Sequence, residues 1–523
     1  MSYKVEQKIG DRIYVYEATN HWDKKKKQSR QTRKYIGVKD PETGEVDTPR
    51  KKAWGVRMSM DAGAAHVLKK TAEESGLGKT LEEAFGKEDA GRIFSLAAFC
   101  ATENKPMYLF EGWAETTDGM KEFSMSSQET SAFLHRLGGD EYAREVFWKK
   151  WALLHGQKRN IVFDITSIST YAGHEGLQEY GYNRDGESLP QINIGMIYGD
   201  DDETPLGYRI YQGSIGDVST VKNLLSYMRR ELKLGYSRIL TDRGFYSTAN
   251  LKGMYESGFR FLMPLPFSTA AAGRLLLETQ SELASPANMF SLEKRTFAHA
   301  VRKIELAGAP LDAHIFYDRQ RENNELSSLT RKLEQTEEKF TGIVFTDAAE
   351  AAEAMEKSAK GVSKFFEIDI ARDGIRLRRD GIRLRRDKEA IEKHAMKFGK
   401  IILITAERGL GKTETISDYL RRDNIEKFYD VLKNEMDCGR FRVHSQESVE
   451  GRLFIHIIAL TLYSSIMSKL RKSKLHNKMT FPEIISNLKR LRRFYSEDGS
   501  STLSEISKKQ RDIFSALNFP IEP

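Results

Sequence analysis

Residues 419–433 read YLRRDNIEKFYDVLK. The segment has no Pro or Gly and is rich in helix-forming residues, so it is predicted to be one helix. At about 100° per residue, one stripe of this helix carries four polar side chains within about 60° of one another: Tyr419, Arg422, Glu426 and Lys433. The opposite side carries Ile425, Phe428 and Leu432, which indicates a face packed on a core. A solvated surface helix with ion pairs has the same features, so the stripe alone does not identify a site.

The spacing of the four polar residues is more informative than their polarity. The pattern Tyr, two residues, Arg, three residues, Glu, six residues, Lys resembles the signature around the last catalytic carboxylate of the insertion-sequence DDE transposases. These are bacterial cut-and-paste enzymes, and all four positions match. The resemblance implies a ribonuclease H-like catalytic domain, and it requires two further aspartates upstream, each at a strand.

Two upstream aspartates meet that requirement. Asp164 lies inside the apolar, β-rich run NIVFDITSIS (160–169), and Asp242 ends a strand in YSRILTDRGFYS (236–247). An ionised carboxylate inside a buried strand is costly to desolvate, which favours a function for Asp164. Asp242 alone is also explained as a turn residue. Both match the family pattern, and with Glu426 they complete an Asp, Asp, Glu triad with gaps of 78 (242 − 164) and 184 (426 − 242) residues.

The elements predicted around the aspartates indicate an α/β fold. Strands at 160–169, 191–199 and 206–213 are followed by a helix at 219–234 and the strand that ends at Asp242. A helix from Thr248 and the strand FRFLMPLP (259–266) complete the series. The order of three strands, helix, strand, helix, strand is the one expected of a ribonuclease H-like fold. The pattern by itself gives only α/β, and the resemblance supplies the name.

The gap before Glu426 is too long for a simple ribonuclease H-like domain. The resemblance implies a β-rich insertion domain, assigned to residues 267–398, after which KIILIT (400–405) returns to the catalytic part. The insertion has a mixed pattern, with strands predicted in FAHAVRKIEL, AHIFYDRQR, FTGIVFT and KFFEIDIA and helices at 326–339 and 348–360. Within it, RDGIRLR at 372–378 recurs at 379–385. This tandem heptad is either a basic strand near DNA or an accidental duplication that puts the activity of this copy in question.

The N-terminal region, residues 1–157, is assigned to DNA binding mainly because the resemblance implies it. Residues 11–47 are predicted to form a β-hairpin whose turn carries seven cations: Lys24, Lys25, Lys26, Lys27, Arg30, Arg33 and Lys34. Such a cluster suits a DNA backbone and equally suits a solvated loop. Helices are predicted over 58–157, including one at 64–75 and one that starts with a capping box of Ser126 and Glu129.

The remaining segments complete a five-part division of the chain. Residues 158–266 and 399–480 are predicted to be the two parts of the catalytic domain, and 481–523 a basic C-terminal tail. The longest apolar run, 453–467, is short for a membrane span and contains His456, so it is predicted to be a buried core helix with no membrane contact. KIILIT followed by AERGLGKT resembles a strand and a phosphate-binding loop. Ala406 stands where that loop needs its first Gly, which argues against an ATP site.

Composition gives the general frame. A chain of 523 residues is long enough for about two to four domains, and a net charge of +8 suits a polyanionic partner. Two cysteines, Cys100 and Cys438, are too few for a disulfide framework or a zinc site. A reducing cytoplasm is therefore expected, and the resemblance implies a prokaryotic protein associated with the nucleoid.

The three carboxylates predict metal-dependent chemistry on DNA. Mg²⁺ prefers hard oxygen ligands, and two such ions about 3.5–4 Å apart stabilise both the attacking and the leaving oxygen of a phosphodiester. Two ions per site, Mg²⁺ or Mn²⁺, are expected, with Asp164 bridging them and Asp242 and Glu426 each completing one coordination sphere. The family resemblance implies that water attack frees a 3′-hydroxyl, which then attacks the target DNA.

The resemblance also implies partners for this chemistry. Tyr419, Arg422 and Lys433 would hold phosphates of the transposon end, and a homodimer would assemble on double-stranded DNA that includes both the ends and the target. Two other hypotheses stay open. One is a metal-dependent nuclease of the same fold that does not join strands. The other is a catalytically inactive DNA-binding protein derived from a transposase.

Overall fold

The computed structural model describes residues 2–10, 12–23, 27–41, 43–47, 56–156, 160–171, 176–200, 203–234, 237–340, 348–359, 361–373, 376–443 and 445–520. Helices and strands alternate through most of this length, so the chain has the mixed α/β character that the sequence predicts. One large sheet and one long buried helix organise the structure.

The N-terminal region forms a four-stranded antiparallel sheet in the order β1-β2-β3-β4. Its strands are β1 (Ser2–Ile9), β2 (Arg12–Asp23), β3 (Gln28–Lys39) and β4 (Val46–Asp47). The predicted hairpin is present as β2 and β3, and β1 adds an outer strand that the sequence analysis missed.

The predicted extent of the hairpin turn was wrong. Arg30 pairs with His21 and Arg33 pairs with Ala18 across the two strands, so the ladder continues through polar residues that had been assigned to the turn. Lys34 also lies on β3. Lys27 lies in the connection with a φ of 48°, and Lys24, Lys25 and Lys26 lie outside the described residues.

A helical region follows one short strand. Its elements are β5 (Val56–Asp61), α1 (Gly63–Glu74), α2 (Leu77–Phe85), α3 (Lys87–Thr102), α4 (Phe110–Thr116), α5 (Ser127–Gly139) and α6 (Glu141–His155). The predicted capping box is present at the start of α5. Glu129 N donates to Ser126 Oγ over 3.3 Å, and Ser126 N donates to Glu129 Oε2 over 2.8 Å. Both groups would otherwise be unpaired at the helix end.

The central sheet begins after this helical region, and its elements are those predicted. They are β6 (Asn160–Thr170), β7 (Gln191–Gly199), β8 (Thr204–Gln212), α7 (Asp217–Arg230), β9 (Arg238–Thr241), α8 (Thr248–Glu256) and β10 (Arg260–Pro264). The strands lie in the order β8-β7-β6-β9-β10. β6 pairs antiparallel with β7 and parallel with β9, which places the short β9 in the middle of the sheet.

The segment assigned to an insertion contains about as much helix as strand. Its elements are α9 (Ala270–Ala284), β11 (Met289–Leu292), β12 (Arg295–Leu306), β13 (Ala309–Asp318), α10 (Arg319–Phe340), α11 (Ala348–Ser358), β14 (Phe366–Asp373), β15 (Arg376–Arg386) and α12 (Lys388–Ala395). The next strand, β16 (Lys400–Thr405), pairs with both β10 and β13. Strands β11 to β13 therefore extend the central sheet, and most of the strand predicted at 340–346 lies outside the described residues.

The C-terminal part carries the longest helix. Its elements are α13 (Lys412–Arg421), α14 (Asn424–Asp430), β17 (Arg440–Phe441), α15 (Gln446–Lys472), α16 (Phe481–Leu488), β18 (Arg492–Ser496), β19 (Ser501–Leu503) and α17 (Lys508–Leu517). Helix α15 is long and apolar enough to cross a membrane, but 72% of its most apolar window is buried inside the protein. It is the core helix that the sequence predicts, with His456 1% exposed.

Residues 481–520, the described part of the segment predicted as a basic tail, are folded. β18 pairs antiparallel with β5 and with β19, so the C-terminal segment joins the start of the helical region in one three-stranded sheet. Two of the basic side chains of this segment are held by acids of the helical region, because Arg493 pairs with Asp118 at 3.1 Å and Lys489 pairs with Glu103. Arg493 and Lys489 therefore make structural contacts within the protein.

Candidate active site

The two aspartates singled out by the sequence lie side by side in the central sheet. β6 and β9 are neighbouring parallel strands in which Phe163 is paired with Thr241. Asp164 and Asp242 are the next residues along each strand, and neighbouring strands lie only about 4.8 Å apart. Asp242 directly follows β9 and precedes a short turn of helix, Arg243–Phe245. The two carboxylates therefore come from the middle of one strand and the carboxyl end of the next.

Asp164 is a buried carboxylate. It is 8% exposed, and the nearest cation described is Arg184, whose Nη1 is 3.7 Å from its Oδ1. Burial raises the pKa of Asp164 from 3.8 to about 6, while Arg184 and the N–H of Ile165 act to lower it. The protein thus holds this group with incomplete charge compensation, which is costly and is typical of a functional carboxylate.

The signature segment is not the single helix that the sequence predicts. Helix α13 ends at Arg421, and α14 starts at Asn424. Between them the backbone tightens, since the N–H groups of Arg422 and Asp423 donate to the carbonyls three residues earlier. A π-helical turn, Val431–Glu435, follows α14. Because of these two irregularities, the four signature side chains point in different directions from those expected on one regular α-helix.

Two contacts fix the position of this segment against the sheet. The guanidinium of Arg238, at the start of β9, binds Asp418 of α13 with an Nη1–Oδ2 distance of 2.5 Å. From α14, the hydroxyl of Tyr429 donates to the backbone carbonyl of Asp164 over 2.7 Å. Tyr429 lies three residues after Glu426, so this bond fixes the helix that carries Glu426 against β6.

Arg422 connects the second and third carboxylates. Its Nη1 is 2.5 Å from Asp242 Oδ1, and its Nη2 is 3.7 Å from Glu426 Oε1. Its guanidinium carbon lies 5.2 Å from the ring centre of Tyr419. The Arg422 side chain is 12% exposed, and its Nε is buried with no hydrogen-bond partner within the described structure. The structure therefore gathers Asp242, Glu426 and Tyr419 around the guanidinium of Arg422.

These four residues line a common cavity of about 390 Å³. Four further cations line it, namely Arg243, Arg295, Arg321 and Lys400. Burial raises the pKa of Tyr419, so its phenol stays protonated and can donate a hydrogen bond. A cavity with acids at one side and several cations around it suits a substrate that carries phosphates next to a reacting centre.

Lys433 lies in a different cavity from the other three signature residues. Its Nζ is 2.7 Å from Asp185 Oδ2, in the loop between β6 and β7, and its side chain is 10% exposed. The expectation that it shares a helix face with Glu426 was wrong, because the π-helical turn interrupts the regular period before position 433. Lys433 still lies close to the site, because its partner Asp185 directly follows Arg184, which faces Asp164.

The donors of this site suit a hard divalent cation. Asp164, Asp242 and Glu426 supply carboxylate oxygens, which Mg²⁺ and Mn²⁺ accept. Among the described residues, no three His, Cys, Asp or Glu side chains lie close enough together to hold a metal ion. Arg422 accounts for part of that separation, since its guanidinium is bound to Asp242 and also faces Glu426. The residue types fit the metal, and Arg422 has to leave Asp242 for all three carboxylates to share it.

Two functional neighbours were missed in the sequence. Arg184 belongs to the turn-rich loop 181–190, where no periodicity marks it, and Arg238 stands four residues before Asp242 in an ordinary strand pattern. In the segment AERGLGKT, Lys412 begins α13, and its Nζ lies 4.9 Å from the centre of the Phe290 ring. Only the tertiary contacts of Arg184 and Arg238 reveal their place at the site.

Comparisons with known proteins identify one family for this chain. The sequence model of one family, described as a transposase DDE domain, matches residues 155–462. No curated protein matches the chain. Among solved structures, the chain is similar to a piggyBac transposase synaptic complex with hairpin DNA, determined by cryo-electron microscopy. That similarity has 11% sequence identity and a TM-score of 0.36, and it covers 88% of this chain and 83% of the other.

Proposed function

This chain belongs to the DDE transposase family, and we propose that it is the transposase of an insertion sequence. It binds the terminal inverted repeats of its element, cuts the DNA at the ends, and joins the resulting 3′-hydroxyls to target DNA. The observation that carries this proposal is the position of Asp164 and Asp242 at neighbouring points of two parallel strands, and the bond from Tyr429 of α14 to the Asp164 carbonyl supports a place for Glu426 beside them.

The fold supports the finer assignment of the catalytic part. The strand order is β8-β7-β6-β9-β10, with the first three strands antiparallel and the last two parallel to β6, and this order supports the proposal of a ribonuclease H-like sheet. Residues between β10 and β16 interrupt this core, and some of their strands lengthen its sheet. We assign residues 158–266 and 399–480 to the catalytic domain and 267–398 to an insertion on this basis.

Asp164, Asp242 and Glu426 are the residues that would hold Mg²⁺ or Mn²⁺. Such ions, when bound, activate a water or a 3′-hydroxyl and neutralise the leaving oxygen. The burial of Asp164 limits water around the reacting phosphate and strengthens its interaction with a cation. Tyr429 keeps α14 in register with β6 through its bond to the Asp164 carbonyl.

The signature residues serve to position DNA. Arg422 has a buried Nε without a partner in the described residues, and a phosphate oxygen is an acceptor that satisfies it. When it binds a phosphate, Arg422 releases Asp242 for the metal. Tyr419 supports the guanidinium and offers a protonated hydroxyl, while Lys433 supplies a second cation near the loop 181–190. The N-terminal region, including Lys24, Lys25, Lys26 and Lys27, supplies further phosphate contacts.

The proposal is tested with DNA that carries the two ends flanking this gene. The full chain, with Mg²⁺, is incubated with end DNA that is already cut to a 3′-hydroxyl, together with a supercoiled plasmid as target. Joined products that disappear when the 3′-hydroxyl is replaced by hydrogen support transposition. Cleavage of uncut ends without joining would identify a nuclease, and binding with neither reaction would identify an inactive DNA-binding protein.

A further inference from the structure

A second cleft lies just beyond the carboxyl end of the strand that carries Asp164. It has a volume of about 680 Å³ and lies between α5 and the segment that follows α14. The short β17 pairs in parallel with the last residues of β6, with Arg440 opposite Ser169 and Phe441 opposite Thr170. This pairing places Arg440 and Arg442 at one wall of the cleft, next to the candidate active site.

Two arginines of this wall flank an exposed aromatic ring. The guanidinium carbons of Arg440 and Arg442 each lie 5.9 Å from the ring centre of Tyr171, which is 51% exposed. Arg440 Nη1 also donates to the Tyr171 hydroxyl over 3.0 Å. For Arg442, the described part of the chain shows no acidic partner. The opposite wall is lined by the hydroxyl-bearing Ser127 and Ser131 of α5.

Acidic residues of one loop hold two cations of the cleft. Glu187 accepts a hydrogen bond from Arg440 Nε over 2.8 Å, and Asp185 accepts one from Lys433 Nζ over 2.7 Å. The loop is fixed to β6, because the backbone N–H of Arg184 donates to Ser167 Oγ over 3.1 Å. The acids are therefore attached to the strand that carries Asp164, and they occupy acceptor positions that phosphate oxygens also suit.

We propose that this cleft binds the sugar-phosphate backbone of a DNA strand that passes the active site. Arg440 and Arg442 are its phosphate ligands, and Tyr171 is the surface between them. Glu187 and Asp185 take the place of phosphates until DNA enters. A guanidinium fork matches two phosphate oxygens as well as it matches a carboxylate, so the exchange conserves the hydrogen bonds of Arg440. The inference rests on the proposed function and adds residues outside the signature to it.

Arg442 and Glu187 carry opposite charges, so removing each charge should change DNA affinity in the opposite direction. Binding of the full chain to a labelled duplex of about 30 base pairs, and to a single strand of equal length, is measured by fluorescence anisotropy in EDTA over a range of salt concentrations. Arg442→Gln should lower affinity about 5- to 10-fold near 0.1 M salt and reduce the salt slope by about 0.9 for duplex or 0.7 for single strand. Glu187→Gln should raise affinity about three-fold, because a negative charge beside the phosphates is removed.

Matched control variants separate an effect of the cleft from an effect of the net charge of the protein. Arg511→Gln and Glu505→Gln change the same charges at exposed positions of the C-terminal segment and should bind DNA like the unaltered chain. Arg442→Lys should recover most of the lost affinity, and unchanged melting temperatures would show that every variant is folded. If the cleft variants change affinity for both the duplex and the single strand, duplex backbone occupies the cleft. If they change affinity for the single strand alone, an unpaired strand occupies it.

Two results would overturn the inference. One is equal binding by Arg442→Gln and Arg511→Gln, and the other is weaker binding by Glu187→Gln. In either case, DNA binding and end joining by the unaltered chain would leave the proposed function intact. A chain that binds no DNA at all would remove both the cleft assignment and the proposed function.

Discussion

Asp164 illustrates what could be predicted for a single residue. Its position inside an apolar run predicted a carboxylate kept for function, and the structure shows it buried beside Asp242. The contacts of the site could not be predicted in the same way. Arg184 reaches Asp164 from an irregular loop, and Arg422 turns toward Asp242 because the chain tightens next to it. Loop geometry and local helix defects leave no periodic signal in a sequence.

The raised pKa of Asp164 predicts a pH-dependent effect on stability. A folded-state pKa of about 6, against 3.8 in the unfolded chain, means that this group favours the folded state below pH 3.8 and that this contribution is lost as pH rises through about 6. Ionised Asp164 then costs up to about 3 kcal/mol. In metal-free buffer, Asp164→Asn should therefore melt a few degrees higher than the unaltered chain at pH 7.5, with the difference gone near pH 4.

A control variant distinguishes burial from charge alone. Asp512→Asn removes an exposed carboxylate of α17 and should leave the melting temperature unchanged across the same range. If Asp164→Asn melted at the same temperature as the unaltered chain at pH 7.5, the buried, poorly compensated environment of Asp164 described above would be incorrect.

At the scale of elements, the hydrophobic patterns predicted most helices and strands around the site. The segment 419–433 was the instructive exception, because its residues all favour helix and yet α13 and α14 are separated by a tight turn. α13 is bound through Asp418 to Arg238 on β9, while α14 is bound through Tyr429 to β6. Two docking contacts on different strands outweigh the propensity for one straight helix.

The crossing of α5 and α15 depends on two glycines that let the backbones touch. A Cβ added at Gly451 would lie 2.0 Å from the carbonyl oxygen of Leu134, and one at Gly138 would lie 1.7 Å from that of Glu447. Gly451→Ala should therefore lower the free energy of unfolding by about 1–3 kcal/mol or more, since backbone atoms must move apart. Denaturant unfolding followed by circular dichroism measures the change.

Gly253→Ala is the matched control for this prediction. Gly253 lies within α8, and a Cβ there meets no atom within 4 Å, so the higher helix propensity of Ala should leave stability equal or improved. Equal stability of Gly451→Ala and Gly253→Ala would mean that the two helices are not in the close contact described.

At the scale of the whole molecule, long-range strand pairing was the part that the sequence could not provide. The C-terminal segment was predicted as a tail, but β18 joins β5 from the other end of the chain. The strands β11 to β13 were expected in a separate insertion, but they continue the central sheet through β16. Each pairing brings together residues far apart in sequence, and neither composition nor periodicity records it.

The first three strands of the N-terminal sheet and their connections are strongly basic. Residues 1–39 contain eleven Lys and Arg against four Asp and Glu, a balance of +7 (11 − 4) in a chain of net charge +8. Replacing Lys24, Lys25, Lys26 and Lys27 by Gln should weaken DNA binding and reduce the salt slope by roughly 0.9 for each lost phosphate contact. Single-turnover cleavage at saturating protein should stay near normal, because no candidate catalytic group lies in this region. An unchanged salt slope would show that the lysines form only a solvated turn.

The most direct test of the triad is single-turnover cleavage of end DNA by Glu426→Gln, run beside a binding measurement in EDTA and beside Glu505→Gln as the control. Gln keeps the size of the side chain and removes the charge that a metal requires. The structure predicts that DNA binding stays within about two-fold of the unaltered chain, while the cleavage rate with Mg²⁺ falls at least about 100-fold. Cleavage at the normal rate by Glu426→Gln would contradict the assignment of Glu426 to the catalytic site.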